Sequence, residues 1–146
     1  MTDRYDLQRF LDAQAGVYGQ ACAELRAGRK RSHWMWFVFP QIRGLGSSPM
    51  AMRFAISGID EAKAYLEHSL LGPRLRECAG IVVGVQGRTA SEIFGYPDDL
   101  KLHSSMTLFA KAAALLAKGE EGGGVFGEAL ERYFGGEMDR GTLERI

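Results

Sequence analysis

The sequence predicts a mainly α fold, a single compact multi-helix domain spanning residues 1–146. Three observations lead there. Apolar residues recur at three- and four-residue steps in several segments, while few segments alternate with period two. Glycine fills 19 of 146 positions, well above the average of about 7%. Many of those glycines stand where an apolar stripe stops, which indicates many short helices with tight connections. The length fits one domain, and 46% apolar with 25% charged residues is enough to form one core and too apolar for a disordered chain.

Taken in order, Leu7, Phe10, Leu11, Val17, Tyr18, Ala21, Cys22 and Leu25 form one stripe, read as a first long helix that Gly28 ends in the left-handed conformation. Ser57 with Asp60 resembles a weak capping box for a helix from Asp60 to His68. Gly72-Pro73 opens another, since proline suits a first turn, and Leu75, Cys78, Ala79, Val82 and Val83 form its stripe. The run Ile81-Val82-Val83 also fits a strand, but nothing nearby offers it a pairing partner. Thr89 with Glu92 makes a better capping box, closed by Gly95. Leu108, Phe109, Ala112, Leu115 and Leu116 mark a strong helix, read as capped by Ser104 or Ser105. Gly119–Gly124 reads as a mobile loop. Val125, Phe126, Ala129, Leu130, Tyr133 and Phe134 form the last clear helix, stopped by Gly135-Gly136.

Charge and composition exclude several classes of function. Eighteen cations balance eighteen acids, so the basic excess of a nucleic-acid binder is missing. No apolar run approaches the roughly 18 residues of a membrane span. No apolar leader follows Asp3, Arg4 and Asp6, and the expected location is the cytoplasm. Cys22 and Cys78 form no C-x-x-C pair and fall on apolar stripes, so they read as small core residues. His33, His68 and His103 have no metal-ligand spacing, and His68 reads as a cation at a helix C-terminus. Met50, Met52 and Met106 read as core. Glu128, Glu131, Glu137, Asp139 and Glu144 read as a solvated acidic face.

Three stretches are candidates for chemistry. In Gly28–Gln41, the cations Arg29, Lys30 and Arg31 precede His33, Trp34, Trp36 and the run to Phe39, and no acid lies between Arg26 and Arg43. Cations suit a phosphate and an indole face suits a base, so the segment has the makings of a nucleotide site. A buried helix or strand from Trp34 to Phe39, with the cations as its solvated entry, fits equally well. Gly44–Met50 resembles a loop that offers N–H groups to an anion, yet carries no Walker lysine and fits a plain loop. In Tyr96–Phe109, Asp98 and Asp99 precede Lys101, Ser104 and Ser105. A carboxylate there suits stabilisation of a developing cation, while helix starts and caps explain part of the same pattern.

The blocks Asp6–Phe10 with Ala13-Gln14, Gly28–Gln41, Asp98–Phe109 and Leu130–Gly136 together resemble an uncharacterised bacterial family, domain of unknown function 1810. Its members often carry the label calpastatin. Calpastatin itself is a disordered inhibitor, unlike a chain with the apolar periodicity of a packed domain. Nearly the whole chain takes part in the resemblance. The family is remotely similar to the YbiA-like or NADAR superfamily, mostly helical proteins linked to ADP-ribose and to cleavage of N-glycosidic bonds. NADAR proteins carry a Ser-Glu-His-Tyr type motif, and the nearest match here, Ser32-His33-Trp34, has no glutamate.

The resemblance therefore implies a YbiA-like helical domain that binds a ribose-phosphate or ADP-ribose-like ligand, with N-glycosidic hydrolysis as its reaction. Asp99, then Asp98, would stabilise the oxocarbenium-like state, as a carboxylate does in O-glycosidases. Trp34 or Trp36 would stack on the base, and Arg29, Lys30 and Arg31 would take the phosphate. Lys101, Ser104 and Ser105 would orient the ribose or the carboxylate, with His33 and Gln41 completing the binding set. That chemistry needs no metal and no cofactor. Two alternatives share these residues: a binding module that does not cut, and an interaction domain with Trp34 and Trp36 exposed as a protein-binding patch.

Overall fold

Gly16 divides the first apolar stripe. In the computed structural model, which describes residues 3–116 and 120–146, the expected single helix is two, α1 (Gln8–Gln14) and α2 (Tyr18–Arg26). Ala15 leaves the helical region at ψ 124° and Gly16 takes φ +75°, a left-handed position that suits glycine. The stripe survives the break: Phe10 lies buried on α1, and Ala21, Cys22 and Leu25 on α2. Gly28 ends α2 at φ +72° as read from the sequence.

Eight further helices follow among the described residues: α3 (Met35–Val38), α4 (Pro49–Arg53), α5 (Ile59–Glu67), α6 (Leu71–Gly84), α7 (Ala90–Phe94), α8 (Asp98–Leu116), α9 (Gly124–Phe134) and α10 (Arg140–Leu143). The Thr89/Glu92 capping box is formed in both directions at the start of α7. Gly135 stops α9 at φ +63°. Ile81, Val82 and Val83 are helical. The sole extended pairing among the described residues is a parallel bridge between Ile42 and Ile56.

Two expected caps resolve differently. Asp60 does not answer Ser57; the Glu61 carboxylate accepts from the Ser57 backbone N–H and hydroxyl, at 2.9 and 2.8 Å. Ser104 and Ser105 do not start a helix, because α8 begins at Asp98 and passes through them. The acids Asp98 and Asp99 favour that earlier start, and Ser104 turns its hydroxyl onto the Leu100 carbonyl at 3.2 Å, as a serine inside a helix can. His68 stands at the C-terminal end of α5, and its Nδ1 accepts from the N–H groups of Leu70 and Leu71 at the entry to α6. The Gly119 end of the glycine-rich loop lies outside the described residues.

Helix α8 is central, packing against α5, α7, α9 and α10. Its buried residues run almost all round the axis, which suits a helix enclosed by others. A chain of aromatic contacts threads the core from Phe37 through Phe54, Phe10, Tyr65 and Phe109 to Phe126, with ring centroids 5.1–5.9 Å apart. Cys22 and Cys78 are buried core residues as expected, and the packing of α2 on α6 brings their sulfurs to 4.0 Å. Met106 is buried, whereas Met52 is 66% exposed, because α4 buries none of its residues. No described helix is long and apolar enough to cross a membrane.

Candidate functional site

The bridge at Ile42 and Ile56 fixes one wall of a cleft. The Ile56 N–H donates to the Gln41 carbonyl and the Arg43 N–H to the Ile56 carbonyl, each at 2.8 Å. Beyond it the chain turns through Gly44, at φ +100°, into the loop that leads to α4. Gly46 crosses so close to that helix that a Cβ would sit 2.7 Å from Ala51 Cβ. Opposite stands one face of α8: Leu100, Lys101 and Ser104 share a helical stripe. The start of α10 closes the end with Asp139. Gln41, Leu45–Ser48, Ala51, Pro97, Leu100, Lys101, Ser104, Asp139 and Gly141 enclose about 440 Å³.

Asp139 is the best-supported acid in this cleft. Its Oδ2 accepts from the Ser104 hydroxyl at 3.0 Å, the Thr142 N–H at 3.1 Å and the Thr142 hydroxyl at 2.6 Å. Its own N–H donates to Thr107 Oγ1 at 2.8 Å. Burial alone would raise the carboxyl, but the bonds from Thr142 and Ser104 outweigh it and hold it below the usual aspartate range. Asp139 therefore belongs to the helix packing as the cap of α10, not to a solvated acidic face. The sequence carried one signal of this: Asp139-x-x-Thr142 is a capping pattern before a short helix.

The cation-and-indole segment and the start of α8 do meet, as an ion-paired contact. Lys30 Nζ lies 2.8 Å from Asp98 Oδ2, and Lys101 Nζ lies 3.4 Å from Asp98 Oδ1. Lys30 sits over the Trp34 ring at 5.1 Å and Lys101 over the Trp36 ring at 5.4 Å. Two ammonium groups share one carboxylate, so the cluster keeps one net positive charge beside the cleft.

The other expected site residues are spread out. Trp34 is fully buried, so neither ring face is open to a base, and an exposed two-tryptophan patch is not present. Trp36 is half-buried beside Lys101 and does not line the cleft. Asp98 has both oxygens in ion pairs, and Asp99 Oδ1 accepts from the Leu100 N–H at 2.9 Å. Neither lines the cleft. Arg29, Arg31 and His33 are exposed and lie outside it. Ser105 is fully buried, and its hydroxyl has no hydrogen-bond partner. Gln41, Lys101 and Ser104 are the expected residues that the cleft brings together.

A second acid gives the Gly28–Gln41 segment its shape. Glu24, 4% exposed, accepts from the N–H groups of Arg31 and Ser32, the Ser32 hydroxyl, the Trp34 indole N–H and the Gln20 amide, at 2.5–3.0 Å. Burial opposes the charge, but these donors outweigh it and hold the carboxyl far below the usual glutamate range. No local motif marks this role, since a glutamate on an amphipathic helix is ordinarily solvated.

A family model described as protein of unknown function DUF1810 matches residues 4–146. The chain belongs to that family. The crystal structure of the conserved hypothetical protein Rv1873 from Mycobacterium tuberculosis shares its fold with a TM-score of 0.92 at 58% identity, over 99% of this chain and 98% of that one. No curated protein matches. Within this DUF1810 chain no cluster of three or more histidine, cysteine, aspartate or glutamate side chains among the described residues could hold a metal ion.

Proposed function

We propose that the cleft between the Gly44–Ser48 loop, α8 and α10 binds a ribose-phosphate ligand of the ADP-ribose type. One observation carries this reading: a carboxylate, a hydroxyl and an ammonium, from Asp139, Ser104 and Lys101, line one concave space. An ionised carboxylate accepts hydrogen bonds from sugar hydroxyls, as an acidic residue does for ribose in dinucleotide sites. Lys101 supplies charge for a phosphate. Leu45, Pro97 and Leu100 offer apolar surface to a base. The volume falls within the roughly 300–1,000 Å³ of small-ligand sites. A cytoplasmic location belongs to the same proposal, since phosphorylated nucleotides are abundant there.

N-glycosidic cleavage adds one claim, that Asp139 rather than Asp98 or Asp99 faces the developing charge on the ribose. Its support is that Asp139 lines the cleft and is held ionised, while Asp98 is engaged by two lysines. Thermal-shift and calorimetric titrations with ADP-ribose, ribose 5-phosphate and adenosine test binding. Lys101→Met should weaken the two phosphorylated ligands and spare adenosine, and Ser47→Val should weaken all three. No stabilisation by any of them refutes the site. Release of free base from an N-ribosyl nucleotide, abolished in Asp139→Asn with binding retained, supports cleavage. Binding without turnover in the unsubstituted protein makes it a binding module.

A further inference from the structure

We propose that a second cleft, lined by Arg4, Arg43 and Arg53, binds a phosphate or diphosphate group of a small molecule. This site is independent of the nucleotide reading. It lies at the N-terminal segment, encloses about 420 Å³, and shares no lining residue with the first cleft.

Its frame is built by Arg9. A guanidinium has five N–H donors, and all five of Arg9's are used: on the carbonyls of Tyr5, Asp6, Arg53 and Ala55 and on Glu61 Oε2. Glu61 is equally committed, with Oε2 on Arg9 at 2.9 Å and Oε1 on the Ser57 N–H and hydroxyl. The Arg9–Glu61 pair thus ties the N-terminal segment to the Arg53–Ser57 turn and leaves neither charge for a ligand.

The other three arginines are in the opposite condition. Arg4, Arg43 and Arg53 are exposed, and none has a carboxylate within 4.0 Å among the described residues. None donates a side-chain hydrogen bond to another described residue. Arg4 and Arg53 lie over the rings of Tyr5 and Phe54, at 5.6 and 5.2 Å. Three guanidinium forks around one concavity, none of them ion-paired, suit a multiply charged oxyanion that takes bidentate bonds. The protein is neutral as a whole, which argues for a small anion in this hollow rather than a long polyanion across the surface. Asp6 is the one uncommitted acid on the lining, and it opposes an anion there.

Calorimetric titration of the full chain with inorganic diphosphate, and with inorganic phosphate, tests the proposal. Diphosphate should bind more tightly than phosphate, and affinity should fall as salt is raised. Arg43→Ala and Arg53→Ala should each weaken it about tenfold, and Asp6→Asn should tighten it. Circular dichroism melts show that the variants are folded. Absence of diphosphate binding, or equal binding by the Arg43→Ala/Arg53→Ala double variant, overturns the proposal. An oligoribonucleotide that binds where diphosphate does not overturns it in favour of a nucleic-acid surface.

Discussion

Removing the Glu24 carboxylate is expected to loosen the segment that carries Lys30, Trp34 and Trp36. Glu24→Ala deletes five hydrogen bonds at once. The Trp34 indole N–H is fully buried and has no water to turn to, so stranding it costs about 1–3 kcal/mol. The donors of Arg31, Ser32 and Gln20 are nearer solvent and recover most of their loss, adding about 1 kcal/mol together. The sum, about 3 kcal/mol, corresponds to a melting point about 10 °C lower for a chain of this size. Glu24→Gln keeps the three bonds on Oε1 but turns an amide toward the Gln20 amide, and about 1–2 kcal/mol is expected.

The pH dependence has a definite sign. The folded carboxyl titrates below its unfolded value, so its stabilisation is complete above the ordinary glutamate range and is lost as pH falls toward the folded value. The stability gap between the natural protein and Glu24→Gln should therefore be flat from pH 7 to about pH 5. Below that it should narrow by up to about 1.4 kcal/mol per pH unit. Urea denaturation at pH 7, 5, 4 and 3 measures both quantities. A Glu24→Ala loss below about 0.5 kcal/mol, or a gap constant down to pH 3, would refute the reasoning.

Four other substitutions test the packing. Ser105→Ala removes a buried hydroxyl that has no partner, so urea midpoints should be unchanged or higher, whereas Ser104→Ala should cost about 1 kcal/mol through the lost bond to Asp139. Gly72→Ala places a Cβ 2.1 Å from the Leu66 carbonyl oxygen, which is backbone and cannot yield easily; thermal melts should show a loss of about 2–4 kcal/mol. Arg9→Lys keeps the charge but forfeits the fork that reaches four carbonyls and Glu61, and chemical denaturation should show a loss of about 2–4 kcal/mol.

Much of the helical architecture was legible because its signals are local. Thr89 with Glu92, Gly28, and Gly135 after Phe134 each satisfy helix-end groups within a few residues, and each acts as read. Local reading failed where two local rules compete. Gly16 interrupts a stripe that continues on both sides of it, and Ser104 looks like a cap although Asp98 has already started the helix. The candidate site was legible in part. Lys101, Ser104 and Gln41 come from the segments whose composition marked them, yet the acid that joins them, Asp139, is 35 residues from Ser104 and is recruited by tertiary packing. Trp34 was misleading for the same reason, since its partner Glu24 sits on the preceding helix and draws the indole inward. The arginine cleft depends on Arg4, Arg43 and Arg53, which no sequence window contains together.

Amide-resolved NMR titration with ADP-ribose measures the nucleotide reading most directly. Saturable shifts should gather at Gly46, Ser47, Lys101, Ser104 and Gly141, around Asp139, and should fade in Lys101→Met. A spectrum that does not respond, or one whose changes collect around the exposed Arg29, Arg31 and His33 instead, would contradict it.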